Sequence, residues 1–245
     1  MASPRFYCPA PLSAHQTIAL PAELAHHAVR VRRLGEDAAI ILFDGRGGQY
    51  PARLIIERAA VWAQVGEWQD VERELDGSLT LVQAIAANEK MDWIVEKAVE
   101  LGARRLVPIT AHRSVPALKG ERLTKRQQHW ARVAQAASEQ CGRNQLMRMD
   151  APRSLADYLR DPGVPAPDQI LCCHPDAGAP LKAAIAASSC HIAVLIGPEG
   201  GWSREELATA ENHHAAIVQF GTRVLRTETA GVALLAAVTA LQGWR

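Results

Sequence analysis

The feature that most constrains the fold begins at Leu79, where short apolar runs alternate with segments of helical periodicity. Short buried strands separated by helices are typical of an α/β sheet with a parallel core. We therefore predict an α/β fold for this part of the chain. The predicted strands read LTLVQAI, RLVPIT, QILCCH, HIAVLIG and AIVQF.

The amino-terminal part of the chain, from Thr17 to Trp68, has a different pattern. Three β-rich segments, AAIILFDG, QYPARLIIE and AVWAQVGEW, are joined by tight turns. One helix, PAELAHHAVRVRRLG, opens with a proline and is predicted to end at Gly35. We predict a small barrel-like domain over residues 1–72 and a second domain over residues 73–245, connected by the charged segment DVERELDGS.

Composition excludes several classes of protein. The 27 basic and 26 acidic residues give a net charge of +1, so any RNA binding must come from local patches. The sequence contains neither a membrane-spanning apolar stretch nor a signal-peptide pattern, which predicts a cytoplasmic protein. The five cysteines form no CxxC pair, which argues against a disulfide framework and against a zinc site.

A glycine-rich loop follows the fourth predicted strand, in the segment LIGPEGGWS. Ser203 and Glu206 come next at the spacing of a capping box, which predicts a helix after the loop. Strand, glycine loop and helix together form the geometry of a ligand crevice at the carboxyl end of a sheet. Because neither GxxxxGK[ST] nor GxGxxG is present, a nucleoside triphosphate is disfavoured. A plain tight turn remains the alternative.

A second loop of this kind follows the strand AIVQF, in the segment FGTRVLRTETAGVALLAAV. A helix is predicted to start near Thr227, so the two loops can flank one pocket. The helix is apolar on more than one face, which fits either a subunit interface or a central core helix. Arg226 and Glu228 stand at its start, and they either serve the pocket or form a local salt bridge.

Four segments together resemble one known family: IGPEGGWSREE, LRTETAGVALLAAV, EKAVELGARRLVPITAHRSV and ASEQCGRN. They are similar to the RsmE-type 16S ribosomal RNA uridine-N3 methyltransferases of the SPOUT superfamily. The resemblance implies a PUA-like amino-terminal β-barrel domain that binds RNA, and a SPOUT-type parallel sheet with a carboxyl-terminal trefoil knot. It also implies a homodimer, S-adenosylmethionine as methyl donor, no metal, and 16S ribosomal RNA in the assembled small subunit as substrate.

The resemblance also implies the residues that bind the cofactor. They lie in the glycine loop, in the second loop and at the end of the third strand. The implied residues are Leu171, His174, Ile196, Gly197, Glu199, Gly200, Gly201, Phe220, Gly221, Val224, Leu225 and Arg226.

Methylation of uracil N3 requires removal of its proton and stabilisation of charge on the flanking carbonyl oxygens. We hypothesise that Arg226 supplies the cation and that Glu199 or Glu228 is the base. The alternatives are a related methyltransferase for another base or a ribose 2′-oxygen, and an inactive RNA-binding assembly factor. The expected RNA contacts are Arg5, Arg30, Arg32, Arg33, Arg113, Ser138, Gln140 and Arg143.

Two histidines and two cysteines are possible metal ligands, but their spacing disfavours a metal site. His26 and His27 are adjacent on a helix and point about 100° apart. We therefore expect them to be structural or to face RNA. Cys172 and Cys173 are neighbours on a strand and face opposite sides of the sheet, so they do not form a joint site.

Overall fold

The computed structural model describes residues 3–58, 60–114, 120–176 and 179–245. It consists of two compact units, residues 1–74 with 135–146 and residues 75–134 with 147–245. The elements in chain order are β1 (Arg5–Tyr7), β2 (Thr17–Ala19), α1 (Ala22–His26) with a π-helical turn (His27–Val31), β3 (Ala39–Phe43), β4 (Tyr50–Glu57), β5 (Ala60–Val65), β6 (Ser78–Ala84), α2 (Asn88–Glu100), β7 (Ala103–Thr110), α3 (Gly120–Cys141), β8 (Arg148–Met149), β9 (Arg153–Ser154), α4 (Leu155–Arg160), β10 (Gln169–Cys173), β11 (Ala179–Pro180), α5 (Leu181–Ala184), β12 (His191–Ile196), α6 (Arg204–Asn212), β13 (Ala216–Gln219) and α7 (Thr227–Gln242).

The first unit contains a five-stranded sheet in the order β1–β3–β4–β5–β2. Strands β3, β4 and β5 are the three strands predicted from the sequence, and they pair antiparallel. Strands β1 and β2 were not predicted, because three-residue segments are too short to show a periodicity. The core of the unit includes the fully buried side chains of Cys8, Leu42 and Leu54.

The helix of the first unit ends earlier than the sequence indicated. It runs from Ala22 through a π-helical turn to Val31, so the prediction that Gly35 ends it was wrong. Arg33 takes a left-handed conformation, with φ of 55°, and the chain turns there without a glycine. The His27 ring packs edge-on against Phe6 with ring centroids 5.6 Å apart, which indicates a structural role for this histidine.

The carboxyl-terminal turns of α3 and the following loop belong to the first unit, although they are distant from it in sequence. Arg143 is buried, and its guanidinium donates to both carboxylate oxygens of Glu74, at 2.8 and 2.7 Å. Ser138 is fully buried. Their burial disagrees with the direct RNA contacts expected from the sequence, because a buried side chain presents no surface to RNA. We interpret both residues as structural.

The second unit contains a parallel sheet in the order β11–β13–β10–β12–β6–β7–β8, with β9 also pairing with β7. The five predicted strands are its β6, β7, β10, β12 and β13, so the α/β prediction is confirmed. Every residue of β12 is buried, as expected for a central strand with both faces covered.

Parallel pairing brings the carboxyl ends of β10, β12 and β13 to one edge of the sheet, where ligands bind in open α/β folds. Helix α7 begins at the same edge and packs on β6, β12 and α2. It buries Leu234, Leu235 and Val238 on its inner face. None of the helices in the described ranges combines the length and the apolar composition that a membrane span requires.

Candidate active site

A pocket of about 380 Å³ lies in the second unit, at the carboxyl ends of β10, β12 and β13. This volume is within the range of about 300–1,000 Å³ that is usual for small-molecule sites. The lining residues come from these three strand ends, the loops after them and the first turns of α2 and α7. They are Lys90, Cys173, His174, Pro175, Ile196, Gly197, Pro198, Glu199, Gly201, Trp202, Phe220, Gly221, Arg223, Val224, Leu225, Arg226, Thr227 and Ala230.

The two glycine-rich loops form their predicted turns around this pocket. Gly201 has φ of 69° and Gly221 has φ of 73°, a left-handed conformation that a side chain would strain. After the first loop, Ser203 and Glu206 form the predicted capping box and start α6 at Arg204. Both loops therefore contribute residues to the wall of one pocket, as the ligand-crevice prediction requires.

Ten of the twelve cofactor residues expected from the sequence line this pocket, while Leu171 and Gly200 do not. Leu171 is fully buried inside β10, two residues before the last residue of the strand. Gly200 is exposed, and its carbonyl oxygen accepts a hydrogen bond from Arg113 Nη1 at 2.9 Å. Gly200 therefore lies next to Arg113, one of the expected RNA contacts.

A buried polar network joins three segments beneath the pocket. The Thr227 hydroxyl donates to the Gly197 carbonyl oxygen at 2.7 Å and accepts from Gln83 Nε2 at 2.9 Å. Thr227 is buried and Gln83 fully so. The network ties β6 and the start of α7 to the glycine loop, and sequence reasoning missed Gln83 because it lies within an apolar strand pattern.

We expect Thr227→Val to weaken the fold and the pocket together. The isosteric valine removes the donor to the Gly197 carbonyl oxygen and the acceptor for Gln83 Nε2, which keeps only its bond to the Ala84 carbonyl oxygen, at a cost of about 1–3 kcal/mol. Chemical unfolding measures that loss, and calorimetric titration measures the accompanying loss of ligand affinity. Thr227→Ser keeps the hydroxyl and is the matched control. Equal ligand affinity in the valine and serine variants would show that the network does not hold the loop.

A cluster of charges lies beside the pocket, and its central residue was not predicted. Lys90 Nζ is 3.1 Å from Glu199 Oε1 and 3.3 Å from Glu228 Oε2. Lys90 and Glu199 line the pocket, whereas Glu228 is not among its lining residues. The available signal was the position of Lys90 in the first turn of the helix that follows β6, because site residues concentrate at the carboxyl ends of parallel strands.

The charge cluster affects the ionisation of Glu199. Partial burial disfavours its charged form, but hydrogen bonds from backbone NH groups and from Lys90 outweigh this effect and lower the pKa of Glu199. The same contacts raise the pKa of Lys90, chiefly through its hydrogen bond to Glu199. Both groups are therefore charged at neutral pH.

Arg226 immediately precedes α7, and its exposed side chain lines the pocket. Among the residues that the structure describes, none forms an ion pair with its guanidinium. Its backbone carbonyl accepts the Ala230 NH at 2.8 Å, which fixes the residue at the helix start. The side chain is therefore available to a bound ligand, while the backbone carbonyl anchors the start of α7.

The remaining expected RNA contacts fall into two groups. Arg30, Arg32, Arg33, Arg113 and Gln140 are exposed. Arg5 is half-buried and donates to Gln49 Oε1 at 2.6 Å and to Asn144 Oδ1, so much of its hydrogen-bonding capacity is used within the first unit.

Two family models match the chain. The family model described as an RNA methyltransferase domain matches residues 73–239, and the one described as an RNA methyltransferase PUA domain matches residues 20–62. The parallel sheet and the pocket at its edge therefore define an RNA methyltransferase.

Relatives of similar sequence identify one family within the class of RNA methyltransferases. Ribosomal RNA small subunit methyltransferase E of Mycobacterium bovis is 31% identical over 221 residues, 88% of this chain and 83% of the relative. The enzyme of the same name from Bacillus subtilis is 28% identical over 233 residues, 91% of this chain and 90% of the relative. The chain belongs to the ribosomal RNA small subunit methyltransferase E family.

Two solved structures are similar to the whole chain. A methyltransferase from Legionella pneumophila with bound S-adenosylmethionine has a TM-score of 0.92 and 28% identity, covering 98% of each chain. Ribosomal RNA small subunit methyltransferase E from Neisseria gonorrhoeae, also bound to S-adenosylmethionine, has a TM-score of 0.88 and 32% identity, again covering 98% of each chain.

Proposed function

We propose that this protein transfers a methyl group from S-adenosylmethionine to N3 of a specific uridine in 16S ribosomal RNA. The observation that carries the proposal is the pocket between two glycine-rich loops in a chain of this family. Two similar structures bind S-adenosylmethionine, and the described relatives act on small-subunit ribosomal RNA according to their names.

The residues of the pocket suit this cofactor. Apolar side chains of Ile196, Phe220 and Leu225 offer walls for an adenine ring, and the loops offer backbone donors and acceptors for the ribose and the amino-acid portion. The left-handed glycines let these backbone groups approach the ligand. When bound, S-adenosylmethionine supplies a methyl group on an electrophilic sulfonium, so the chain needs no nucleophile of its own.

The chain's contribution is to orient the uracil and to manage its charge. Uracil N3 is a poor nucleophile until its proton leaves, and a carboxylate near the pocket can accept that proton. We assign this role to Glu199 or Glu228. Arg226, whose guanidinium is not engaged by the described residues, stabilises the charge that spreads onto the flanking carbonyl oxygens.

N3 lies on the pairing edge of uracil, so the target base must be unpaired or splayed out. We propose that the exposed Arg30, Arg32, Arg33 and Arg113 contact the phosphates around it. Residues 1–72 would then act as a PUA-like RNA-binding β-barrel domain. Residues 73–245 would form the SPOUT methyltransferase domain with its trefoil knot, acting as a homodimer on small subunits in the cytoplasm.

The test is to incubate the protein with S-adenosylmethionine carrying a labelled methyl group and with small ribosomal subunits that lack native methylation. Digestion and mass spectrometry then identify the labelled nucleoside, and naked 16S RNA is the parallel substrate. Label in N3-methyluridine is the expected result. Label in another base or a ribose would replace the substrate assignment. No label together with no cofactor binding would indicate an inactive assembly factor.

A further inference from the structure

The position of Lys90 is electrostatically unfavourable on its own helix. Lys90 lies in the first turn of α2 (Asn88–Glu100), where the helix dipole presents its positive end. Acidic residues are favoured there, and a lysine is stabilised only if other charges compensate it. Local rules of this kind are broken most often at functional sites.

The compensating charges come from two other segments of the second unit. Glu199, in the loop after β12, accepts a hydrogen bond from Lys90 Nζ at 3.1 Å. Glu228, in the first turn of α7, has its Oε2 at 3.3 Å from the same ammonium. Lys90 is therefore the point at which α2, α7 and the glycine loop are joined by charge.

The two carboxylates differ in their surroundings. The Glu199 side chain is 39% exposed and lines the pocket, whereas that of Glu228 is 17% exposed and does not. Within the described ranges, Glu228 Oε2 is buried and has no hydrogen bond, so the Lys90 ammonium provides its compensation. The arrangement resembles a catalytic base that is oriented by two further groups. Here the pocket-lining Glu199 is the base, Lys90 is the second group and the buried Glu228 is the third.

We propose that Lys90 is a positioning residue that holds the Glu199 carboxylate in the pocket and is itself held by Glu228. The proposal rests on the proposed function, because it makes Glu199 the group that accepts the uracil N3 proton. It deepens that function by giving Glu228 an orienting role and Lys90 the link between them. In the transfer, the N3 proton passes to Glu199 while the N3 electron pair forms the bond to the methyl carbon and the carbon–sulfur pair stays on sulfur.

Other titratable groups near the cluster set the context for its ionisation. Cys173, His174, Arg223 and Arg226 also line the pocket, and Glu89 precedes Lys90 on α2. Burial raises the pKa of Cys173 to about 11, so this thiol stays neutral in the working range. Because the contacts with Lys90 help to lower the pKa of Glu199, removing the lysine should raise it and shift the acid limb of the rate to higher pH.

The test combines Lys90→Met with Lys90→Arg and with a double-mutant cycle through Glu199→Gln. We expect Lys90→Met to lower kcat about 10- to 100-fold at neutral pH, since a misplaced group of this kind costs about that factor. The arginine variant keeps the cation and should recover most of the rate. In the Glu199→Gln background the Lys90→Met change should add little, because both then act on the same missing carboxylate. Additive losses in this cycle would overturn the proposal.

A second measurement does not depend on activity. Carbon-13 NMR of the glutamate carboxyls in the protein without ligand follows the pKa of Glu199, which should rise in Lys90→Met and return towards the original value in Lys90→Arg. An unchanged titration would refute the Lys90–Glu199 link even if the methylation assay succeeds. Conversely, a protein that methylates nothing but shows the shift would refute the proposed function and leave the contact established.

Discussion

Replacing Arg143 with methionine should lower the free energy of unfolding by about 3–5 kcal/mol, because it removes the guanidinium from a buried ion pair with the Glu74 carboxylate. The side chains of Arg143 and Glu74 are 3% and 6% exposed, so water cannot take over the lost interaction. The pair connects the segment after α3 to the end of residues 1–74 within one unit. Urea unfolding followed by circular dichroism measures the change.

The chain provides a matched control in an exposed pair on α3. Lys125 and Glu121 are 2.7 Å apart with side chains 72% and 80% exposed, and Lys125→Met should cost no more than about 0.5 kcal/mol. The double variant Glu74→Met with Arg143→Met should recover part of the loss, since it removes both charges. If Arg143→Met were instead as stable as Lys125→Met but bound RNA more weakly, the result would support the direct RNA contact by Arg143 that the sequence predicts.

Arg226→Ala should lower kcat by about 100- to 1,000-fold while the dissociation constant for S-adenosylmethionine stays nearly constant. The expected loss of kcat is the one seen when a single preorganised donor to a developing negative charge is removed. Affinity should persist because the substitution leaves the backbone carbonyl of Arg226 in place, and this carbonyl holds the start of α7 through the Ala230 NH. Single-turnover methylation and calorimetric titration measure the two quantities.

Arg223→Ala is the control for this prediction, because Arg223 also lines the pocket and is exposed. We expect a small effect from it, and an intermediate rate for Arg226→Lys, which keeps the charge without the planar fork. An equal loss in the Arg223 and Arg226 variants would mean that the pocket needs positive charge in general. Loss of cofactor affinity in Arg226→Ala would place its guanidinium on the cofactor instead of the uracil.

The loops of the pocket show how much of the site can be predicted from the sequence. HIAVLI and AIVQF are apolar runs of strand length, and each is followed by glycine and then by a helical pattern. These signals are local, so they predicted β12, β13, α6 and α7 together with the pocket between the loops. The exceptions are also local in origin, since three-residue strands such as β1 show no period and a π-helical turn follows no simple apolar repeat.

The misplaced residues have a different cause. SEQCGRN contains an exposed-looking serine and arginine, and no property of that segment reveals that Glu74 lies against it. Burial is a property of the packed unit, so the sequence predicts Arg143 and Ser138 at a surface that they do not reach. For the same reason the sequence shows Gln83 only as part of an apolar strand and does not reveal that its amide donates to the Thr227 hydroxyl.

By itself, the sequence determined the parallel α/β sheet, the two glycine loops at one edge of it and most residues of the pocket they enclose. Only the tertiary structure decided that Lys90, Glu199 and Glu228 form one charge cluster and that Gln83, Thr227 and Gly197 form one polar network. The physical reason is the separation along the chain of the residues that interact. Strands, turns and caps depend on residues a few positions apart, whereas these clusters join side chains more than a hundred positions apart that meet only when the strands align.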